Sequence, residues 1–366
     1  MAEFWKKLNL NFLSSVGRKD DFVALDIGSS SIKMVETAVE KNGYRVLNLG
    51  ILPLPANAIQ NNIVMDHKSV AEGIRGLIAA YGIKAMQVIS AVPGRAVIMK
   101  KVQMPTQEED ELEANVEFEA NNVIPENLEN VNLDYQVLNF INGGDKMEVL
   151  LVAVKKEIVN SYTEVIEEAG LKPAVMDVDY FAMENMYEAN YAAEAGGGVI
   201  GLIHIGARYT SITLLQNGLS TFTGDLPVGG EEFTESLRRE LNISAEAAEK
   251  FKITGHLEGK NGLDLEAMLK PTAANVIEEI RRTVSLYGTV ASEDGEGLKT
   301  IYLSGGGAKV PGLHALLEAK MNVPVRLAEP FRGFTVSKNI DKTYLAESAP
   351  LFAVGAGLSI RRPGDK

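Results

Sequence analysis

The sequence contains no cysteine. That excludes disulfides, thiolate metal centres and a cysteine nucleophile, and it agrees with a reducing compartment. Histidine is scarce too: the four residues His67, His204, His256 and His314 show no metal-ligand spacing. No apolar run approaches the roughly 20 residues that cross a bilayer. Positive charge falls short of negative, with 36 Lys and Arg against 49 Asp and Glu and a formal net charge of -13. Such a surface repels phosphate backbones and anionic membranes, so a nucleic-acid partner is not expected. No low-complexity tail is present, and neither a G-x-G-x-x-G fingerprint nor a Walker A loop occurs.

What is there is enough for more than one core. A chain of 366 residues with 46% hydrophobic and 23% charged residues reads as two folded domains, or two halves of one bilobed body. The first 20 residues form an arm in which Phe4, Trp5, Leu8, Phe12 and Leu13 fall near one helical face, with Lys6 and Lys7 off it. A short interfacial helix, a terminal helix docked on the protein and a flexible arm all fit this pattern, and no signal-peptide cleavage site follows.

Strand signals begin at Phe22. "FVALDI", "SIKMVETAV" and "GYRVLNLGIL" are joined by short turns, the second at Asn42-Gly43. Residues 66 to 82 read as a helix through Val70, Ile74, Leu77, Ile78 and Tyr81, stopped by Gly82. Residues 96–172 read as a small inserted α+β module. Its acidic helix is expected to open at Pro105-Thr106, with Thr106 and Glu109 as a capping box and Leu112, Val116, Ala120 and Val123 as a narrow apolar stripe. A helix from about Tyr180 to Ala193 leads to Gly196-Gly197-Gly198. Helices dominate from Glu231 to about Val290. Then come a strand, a glycine turn, a helix with Pro311 in its first turn, a short strand near Val323, and an amphipathic helix from about Ser348 to Ile360.

The segment after the triple glycine repeats the beginning of the chain. Ile27-Gly28 corresponds to Ile205-Gly206, and Asn42-Gly43 to Asn217-Gly218, each within the order strand, polar turn, strand, Asn-Gly, strand. This shared order argues for an internal duplication. The chemistry of the turns points to an anion. Gly28, Ser29, Ser30 and Ser31 expose backbone N–H groups with small side chains, and Lys33 on the next strand can reach back to the same ligand. Asp26, just before, suits orienting waters around Mg²⁺. A polar hairpin turn with no ligand fits the first turn equally well when it is taken alone. Paired turns change the balance: Gly206, Ala207 and Arg208, with Thr210 as an added hydroxyl donor, would approach phosphates from the opposite side. Gly305, Gly306 and Gly307 would leave room for a base or sugar.

This order resembles the actin-like ATPase superfamily, which also holds the heat-shock chaperones and sugar kinases. "LDIGSSSIK" resembles its first phosphate loop, "IHIGARYTSITLL" its second and "IYLSGGGAKVPG" its adenosine motif. "AVMDVDYFAMENMYE" and "APLFAVGAGLSIRR" are similar to its two connecting segments, and Glu249 with Lys252 in "AEKFK" to its ribose-contacting pair. An acidic helix followed by "VIPENLENVNLDYQVL", and the place of the small module, narrow the resemblance to the PilM family, FtsA-like proteins of type IV pilus and related secretion machines. No amphipathic membrane helix of the FtsA kind closes the C-terminus.

The resemblance implies an α/β fold: a bilobed actin-like ATPase fold of duplicated ribonuclease-H-like domains with an inserted FtsA-type module. It divides the chain into a first domain of residues 21–95, 173–196 and 340–362 (subdomain 1A), the inserted module of 96–172 (1C-like), and a second domain of 197–339 that includes a 2B-like part at about 231–297. It implies ATP or ADP with Mg²⁺ in the cleft between the domains. It implies a cytoplasmic protein at the inner membrane that binds the N-terminal cytoplasmic peptide of a PilN-like membrane protein, contacts the motor layer of the machine and has the capacity to self-associate. One departure bears on hydrolysis: where the superfamily has an Asp two residues before the second-loop glycine, this chain has His204. Asp177 or Asp179 could substitute. ATP binding with slow or absent hydrolysis is the leading expectation; an active ATPase driving pilus dynamics is the alternative. A small-molecule kinase using Asp66 or Asp134 as base is a third reading.

Overall fold

The first hairpin sets the plan of each lobe. In the computed structural model, which describes residues 22–107, 109–192, 197–288 and 297–365, strands β1 (Phe22–Ile27), β2 (Ser31–Glu40) and β3 (Gly43–Pro53) pair antiparallel in succession. After the short β4 (Ile59–Gln60) and β5 (Ile63–Val64), helix α1 (His67–Tyr81) crosses back. The Asp66 carboxylate accepts the Ser69 N–H at its start, and Gly82 closes its end at φ 62. Strand β6 (Gln87–Val92) then lies parallel beside β1. The alternation of buried residues in α1, with Val70, Ala71, Ile74 and Leu77 inward, is the amphipathic spacing visible in the sequence.

A three-stranded antiparallel sheet interrupts this lobe: β7 (Val97–Pro105), β8 (Val131–Ile141) and β9 (Lys146–Lys155), with β9 central. Helix α2 (Glu109–Val123) covers it, and Leu112, Val116 and Ala120 pack with Met104, Met147, Val149 and Leu151 as a separate small core. The apolar stripe read from the sequence is the packing face. The Thr106 hydroxyl donates to the Gly144 carbonyl at 2.5 Å, tying strand ends together ahead of the helix; the Glu109 side chain of the expected capping box lies outside what is described. Helix α3 (Lys156–Glu168), expected within the inserted module, instead buries Ile158, Tyr162, Val165 and Ile166 against Val88 and Val178 of the first lobe. Val64 and Ile74 of the first lobe lie in the same core.

Strand β10 (Lys172–Val178) completes the first sheet in the order β10-β6-β1-β2-β3 and leads directly into helix α4 (Asp179–Tyr191). The second lobe repeats the plan. Strands β11 (Val199–Ile205), β12 (Thr210–Gln216) and β13 (Leu219–Leu226) form the antiparallel set. Helices α5 (Gly230–Leu241), α6 (Ala245–Thr254) and α7 (Leu265–Gly288) follow. Strand β14 (Leu298–Ser304) lies parallel to β11, helix α8 (Leu313–Met321) packs behind, and β15 (Val325–Leu327) closes the sheet as β13-β12-β11-β14-β15. Strand β16 (Thr335–Val336) returns to the outer edge of the first sheet beside β3.

Three local expectations shift. Gly312, at φ 74, precedes α8, so Pro311 lies outside its first turn. The short strand begins at Val325 rather than Val323. The last helix is two pieces, α9 (Lys342–Ser348) and α10 (Ala353–Ser359), joined by a 3₁₀ turn that contains Pro350. Every residue of α10 is buried, so it is no amphipathic surface helix. It lies with α4 in a core shared by both sheets, where Val35 and Ile89 of the first lobe meet Leu202, Leu215 and Tyr302 of the second. Close approach explains its glycines: a Cβ on Gly357 would lie 1.7 Å from the Ala182 carbonyl oxygen of α4. The arm carrying Phe4 and Trp5 lies outside the described residues.

Candidate functional site

The two duplicated hairpins are superimposable in register. Ile27 pairs with Ile32 around the turn 28–31, and Ile205 pairs with Thr210 around the turn 206–209. Gly28 N–H donates to the Ser31 carbonyl at 3.1 Å, and Gly206 N–H donates to the Tyr209 carbonyl at 2.9 Å. The correspondence extends to the next strand. The Ser90 hydroxyl donates to the Leu25 carbonyl at 2.7 Å, and the Ser304 hydroxyl lies 3.4 Å from the Ile203 carbonyl. The backbones repeat; the side chains that chemistry would use do not. Asp26 faces Lys33 across the first hairpin, whereas His204 faces Ser211 across the second.

In the first turn Ser29 is half-buried, Ser30 is exposed and Ser31 is buried. The Lys33 ammonium lies 3.3 Å from the Asp26 carboxylate, beside Gly28, where an added Cβ would meet Nζ at 2.8 Å. The lysine thus folds back beside the turn, into the space that Gly28 leaves open.

The second turn meets the first lobe. First-lobe Asp179 and Tyr180 line one small cavity with second-lobe His204 and Ser211, so the second hairpin lies where the lobes meet. Burial, the largest cause, pushes His204 down to about 4, so it is neutral at physiological pH. Its Nδ1 lies 3.0 Å from Ser304 Oγ. The Arg208 guanidinium, expected to face phosphate, donates to the Ile59 carbonyl at 2.6 Å, to Asn57 Oδ1 at 3.1 Å and to Glu231 Oε1 at 2.9 Å. Ala207 packs its carbonyl against Gly229, and the Thr210 hydroxyl donates to the Val228 carbonyl at 2.8 Å. Thr210 is thus committed to its own lobe.

The floor of the cleft carries a carboxyl group that the sequence names without placing. Asp179, the first residue of α4, accepts the Gly94 N–H at 2.7 Å. Burial and then the negative charges of Asp225 and Asp26 push it up to about 8. A small cavity of about 10 Å³, room for about one water, is lined by Asp179 and His204 together with Tyr180, Ser211 and Thr213. Asp177, the other candidate, is instead paired with Arg361 at 2.9 Å, away from the turns. Among the described residues no group of three or more His, Asp and Glu is placed to hold a metal directly.

The remaining candidates form a second layer. Gly305, at φ 85, and Gly307 are required by packing, because a Cβ on either would strike Ile205, at 2.3 Å from its carbonyl oxygen and 2.2 Å from its Cγ2. Gly306 alone faces open space. Lys252 lies 2.6 Å from Glu249 and also donates to the Gly230 carbonyl and the Thr234 hydroxyl, at the start of α5. The two kinase-base candidates are elsewhere: Asp66 caps α1, and Asp134 is an exposed residue of the inserted sheet.

Comparison with known proteins decides the family. A family model described as "Type IV pilus assembly protein PilM" matches residues 24–363. The chain belongs to the PilM family. Among solved structures, one described as a PilM-PilN type IV pilus biogenesis complex superimposes with a TM-score of 0.81 at 29% identity, covering 93% of this chain and 98% of that one. The ethanolamine utilization protein EutJ of Carboxydothermus hydrogenoformans shares the fold at TM-score 0.55 and 15% identity, over 92% of this chain and 88% of that one. The cell division protein FtsA of Bacillus subtilis is 24% identical over 380 residues, spanning 92% of this chain and 82% of that protein. The actin-like ATPase fold expected from the turns is the fold observed.

Within this PilM-family cleft, sequence reading misses the residues that join the lobes. Tyr180 donates a short hydrogen bond to Asp225, which also accepts from Ser211 at 2.7 Å. The Arg95 guanidinium lies 3.4 Å above the Tyr209 ring. Asn57 and Arg95 are distant in sequence from the turns they touch. Only the "DVD" run ahead of a helix signals that a carboxylate is placed at the floor.

Proposed function

We propose that this protein is a nucleotide-binding scaffold of the type IV pilus assembly platform, with ATP or ADP held between its two lobes. What supports the reading is that the two lobes carry equivalent glycine turns, 28–31 and 206–209, with Lys33 folded over the first and the second held against the first lobe through Arg208 and Tyr209. Phosphates fit there by donor chemistry: the backbone of Ser29, Ser30 and Ser31 on one side and of Ala207 on the other, with Gly28 and Gly206 closing the two turns and leaving room for the anion, and the Lys33 ammonium as counter-charge. Gly306 leaves space for the adenosine end, with Glu249 and Lys252 as ribose contacts. Mg²⁺ would be held through waters oriented by Asp26 rather than by a cage of protein ligands. Bound ATP supplies the charge that draws both turns inward, and its differential contacts with open and closed lobes set their populations.

Hydrolysis is slow in this reading because His204 is neutral where its counterpart in the first hairpin is Asp26. A neutral imidazole neither holds a magnesium water nor offsets the charge as a carboxylate would. One feature favours the alternative of an active ATPase: Asp179, pushed up to about 8 at the edge of a water-sized cavity, holds its proton at neutral pH and becomes a base for water in the fraction that ionises. Single-turnover hydrolysis separates the two, since a rate indistinguishable from that of free ATP removes the second.

The partner reading rests on the solved PilM-PilN complex. The protein binds the N-terminal cytoplasmic peptide of a PilN-like inner-membrane protein, which holds it at the cytoplasmic face and links the membrane components to the motor layer. The test is titration of a fluorescent ATP analogue and of such a peptide. Lys33→Ala should weaken ATP at least tenfold, the worth of one hydrogen bond to a charged group, and peptide affinity should change with nucleotide. Wild-type ATP affinity in Lys33→Ala overturns the cleft assignment; peptide binding indifferent to nucleotide overturns the switch.

A further inference from the structure

Arg208 sits on a turn that the duplication equates with a phosphate loop, yet its guanidinium is used up on protein. Nε reaches Glu231 in the first turn of α5, at 2.9 Å. Nη1 and Nη2 cross the cleft to the first lobe, to the Ile59 carbonyl at 2.6 Å and Asn57 Oδ1 at 3.1 Å. The planar fork is thereby fixed on both sides, which a flexible lysine would not achieve. Its receptor is built for the purpose. Asn57 adopts φ 67, a left-handed conformation that Asn tolerates, and the turn is closed by Ala58 N–H donating to the Pro55 carbonyl at 3.1 Å. The neighbouring residue of the same turn, Tyr209, is held by first-lobe Arg95, 3.4 Å above its ring.

We propose that Arg208 is a cross-lobe latch: it positions the second glycine turn against the first lobe and sets the closed fraction of the cleft, and it is not a phosphate ligand. The inference rests on the nucleotide-cleft reading for its consequence, but the latch itself is a property of the ligand-free chain. Closure then has a protein-only component, contributed by Arg208, Asn57 and the Ile59 carbonyl. Nucleotide binding inherits it, because a closed state favoured in advance tightens every ligand that requires closure by the same factor. A phosphate ligand acts otherwise: it favours ATP over ADP and does nothing for adenosine. The rest of the turn is consistent with this division. Gly206 and Ala207 carry no charge, so the anion-facing part of the second turn is backbone, while its long side chains, Arg208 and Tyr209, are spent on holding the lobes together.

The test has a limb with nucleotide and one without. Arg208→Ala and Asn57→Ala, and the double variant, are titrated with ATP, ADP and adenosine. Asn57 has no place among the candidate nucleotide contacts, so it isolates the latch. The expected result is that each single variant weakens all three ligands by a similar factor of about ten, and that the double variant is no worse than Arg208→Ala, the coupling of one shared interaction. For the ligand-free limb, absence of native cysteine allows labels at Lys84→Cys and Glu258→Cys, exposed positions on the two lobes. Energy transfer between them should fall in both latch variants. If Asn57→Ala binds as wild type while Arg208→Ala loses ATP more than ADP and leaves adenosine unchanged, Arg208 is a phosphate ligand and the latch is wrong. If the wild type binds no nucleotide, the cleft reading fails, and the energy-transfer limb alone decides the latch: unchanged transfer in both variants overturns it.

Discussion

Replacing Asp179 by asparagine should stabilise the ligand-free protein, and more so as pH rises. The carboxyl is pushed from 3.8 up to about 8 by burial and by the charges of Asp225 and Asp26. An acid with a raised folded-state pKa keeps its proton over a range in which the unfolded chain has released it. The penalty it imposes is therefore absent below about pH 4, grows between about 4 and 8, and is complete above. The full shift corresponds to roughly 6 kcal/mol. Partial access of water to the cleft reduces this, and roughly 2–3 kcal/mol is the expected gain of Asp179→Asn at pH 8.5, against under about 1 kcal/mol at pH 5. Asparagine keeps an acceptor for the Gly94 N–H, so the backbone contact at 2.7 Å survives. Urea denaturation of both proteins at the two pH values measures the difference, in which the titration of distant groups cancels. An equal advantage at both pH values, or a less stable variant at pH 8.5, would refute the assignment of Asp179 as a strained, charge-crowded carboxyl.

Gly357→Ala places a methyl 1.7 Å from the Ala182 carbonyl oxygen, forcing α10 from α4; the expected cost is roughly 3 kcal/mol, read as a lower urea midpoint, and an unchanged midpoint would show that the two helices are not locked. His204→Asp puts a third carboxylate beside Asp26 and Asp179. It should lower the thermal midpoint without ligand at pH 8, restore it with Mg-ATP, and raise single-turnover hydrolysis above wild type; equal hydrolysis in the two proteins would show that this position does not limit the reaction.

What the sequence makes legible is whatever is local or repeated. The hairpins at Gly28 and Gly206 were readable because a strand, a small-residue turn and a second strand occupy consecutive positions, and because the pattern occurs twice. Helix α1 carried its own cap at Asp66 and stop at Gly82. Helix α3 was misplaced because its amphipathic pattern says that one face is buried, not against which sheet. The buried piece α10 reads as amphipathic for a related reason: it is short, and its small residues Gly355 and Gly357 are determined by contact with α4 and β2. The cleft was partly legible for the same cause. Asp26 and Lys33 lie on one hairpin, seven residues apart in number and paired in register. Arg208 and Asn57 are separated by 151 positions, and nothing local records their meeting.

Duplication followed by unequal use explains the division of labour between the turns. A repeated hairpin gives two equivalent sets of backbone donors, and backbone is what a phosphate loop chiefly requires. Once both backbones are in place, the side chains are free to diverge. The first hairpin retains a carboxylate and an ammonium, Asp26 and Lys33, 3.3 Å apart. The second has His204 and Ser211 in those places, so it adds no charge to a site where Asp179 and Asp225 already crowd. A further carboxylate there would add to this crowding, and the two nearby arginines are already engaged: Arg95 with the Tyr209 ring and Arg208 with Asn57. A neutral residue at 204 and arginines engaged in lobe-to-lobe contacts are thus two sides of one arrangement. In the proposed reading, less charge in the second turn and arginine contacts between the lobes together favour a cleft whose closed fraction responds to occupancy rather than turnover.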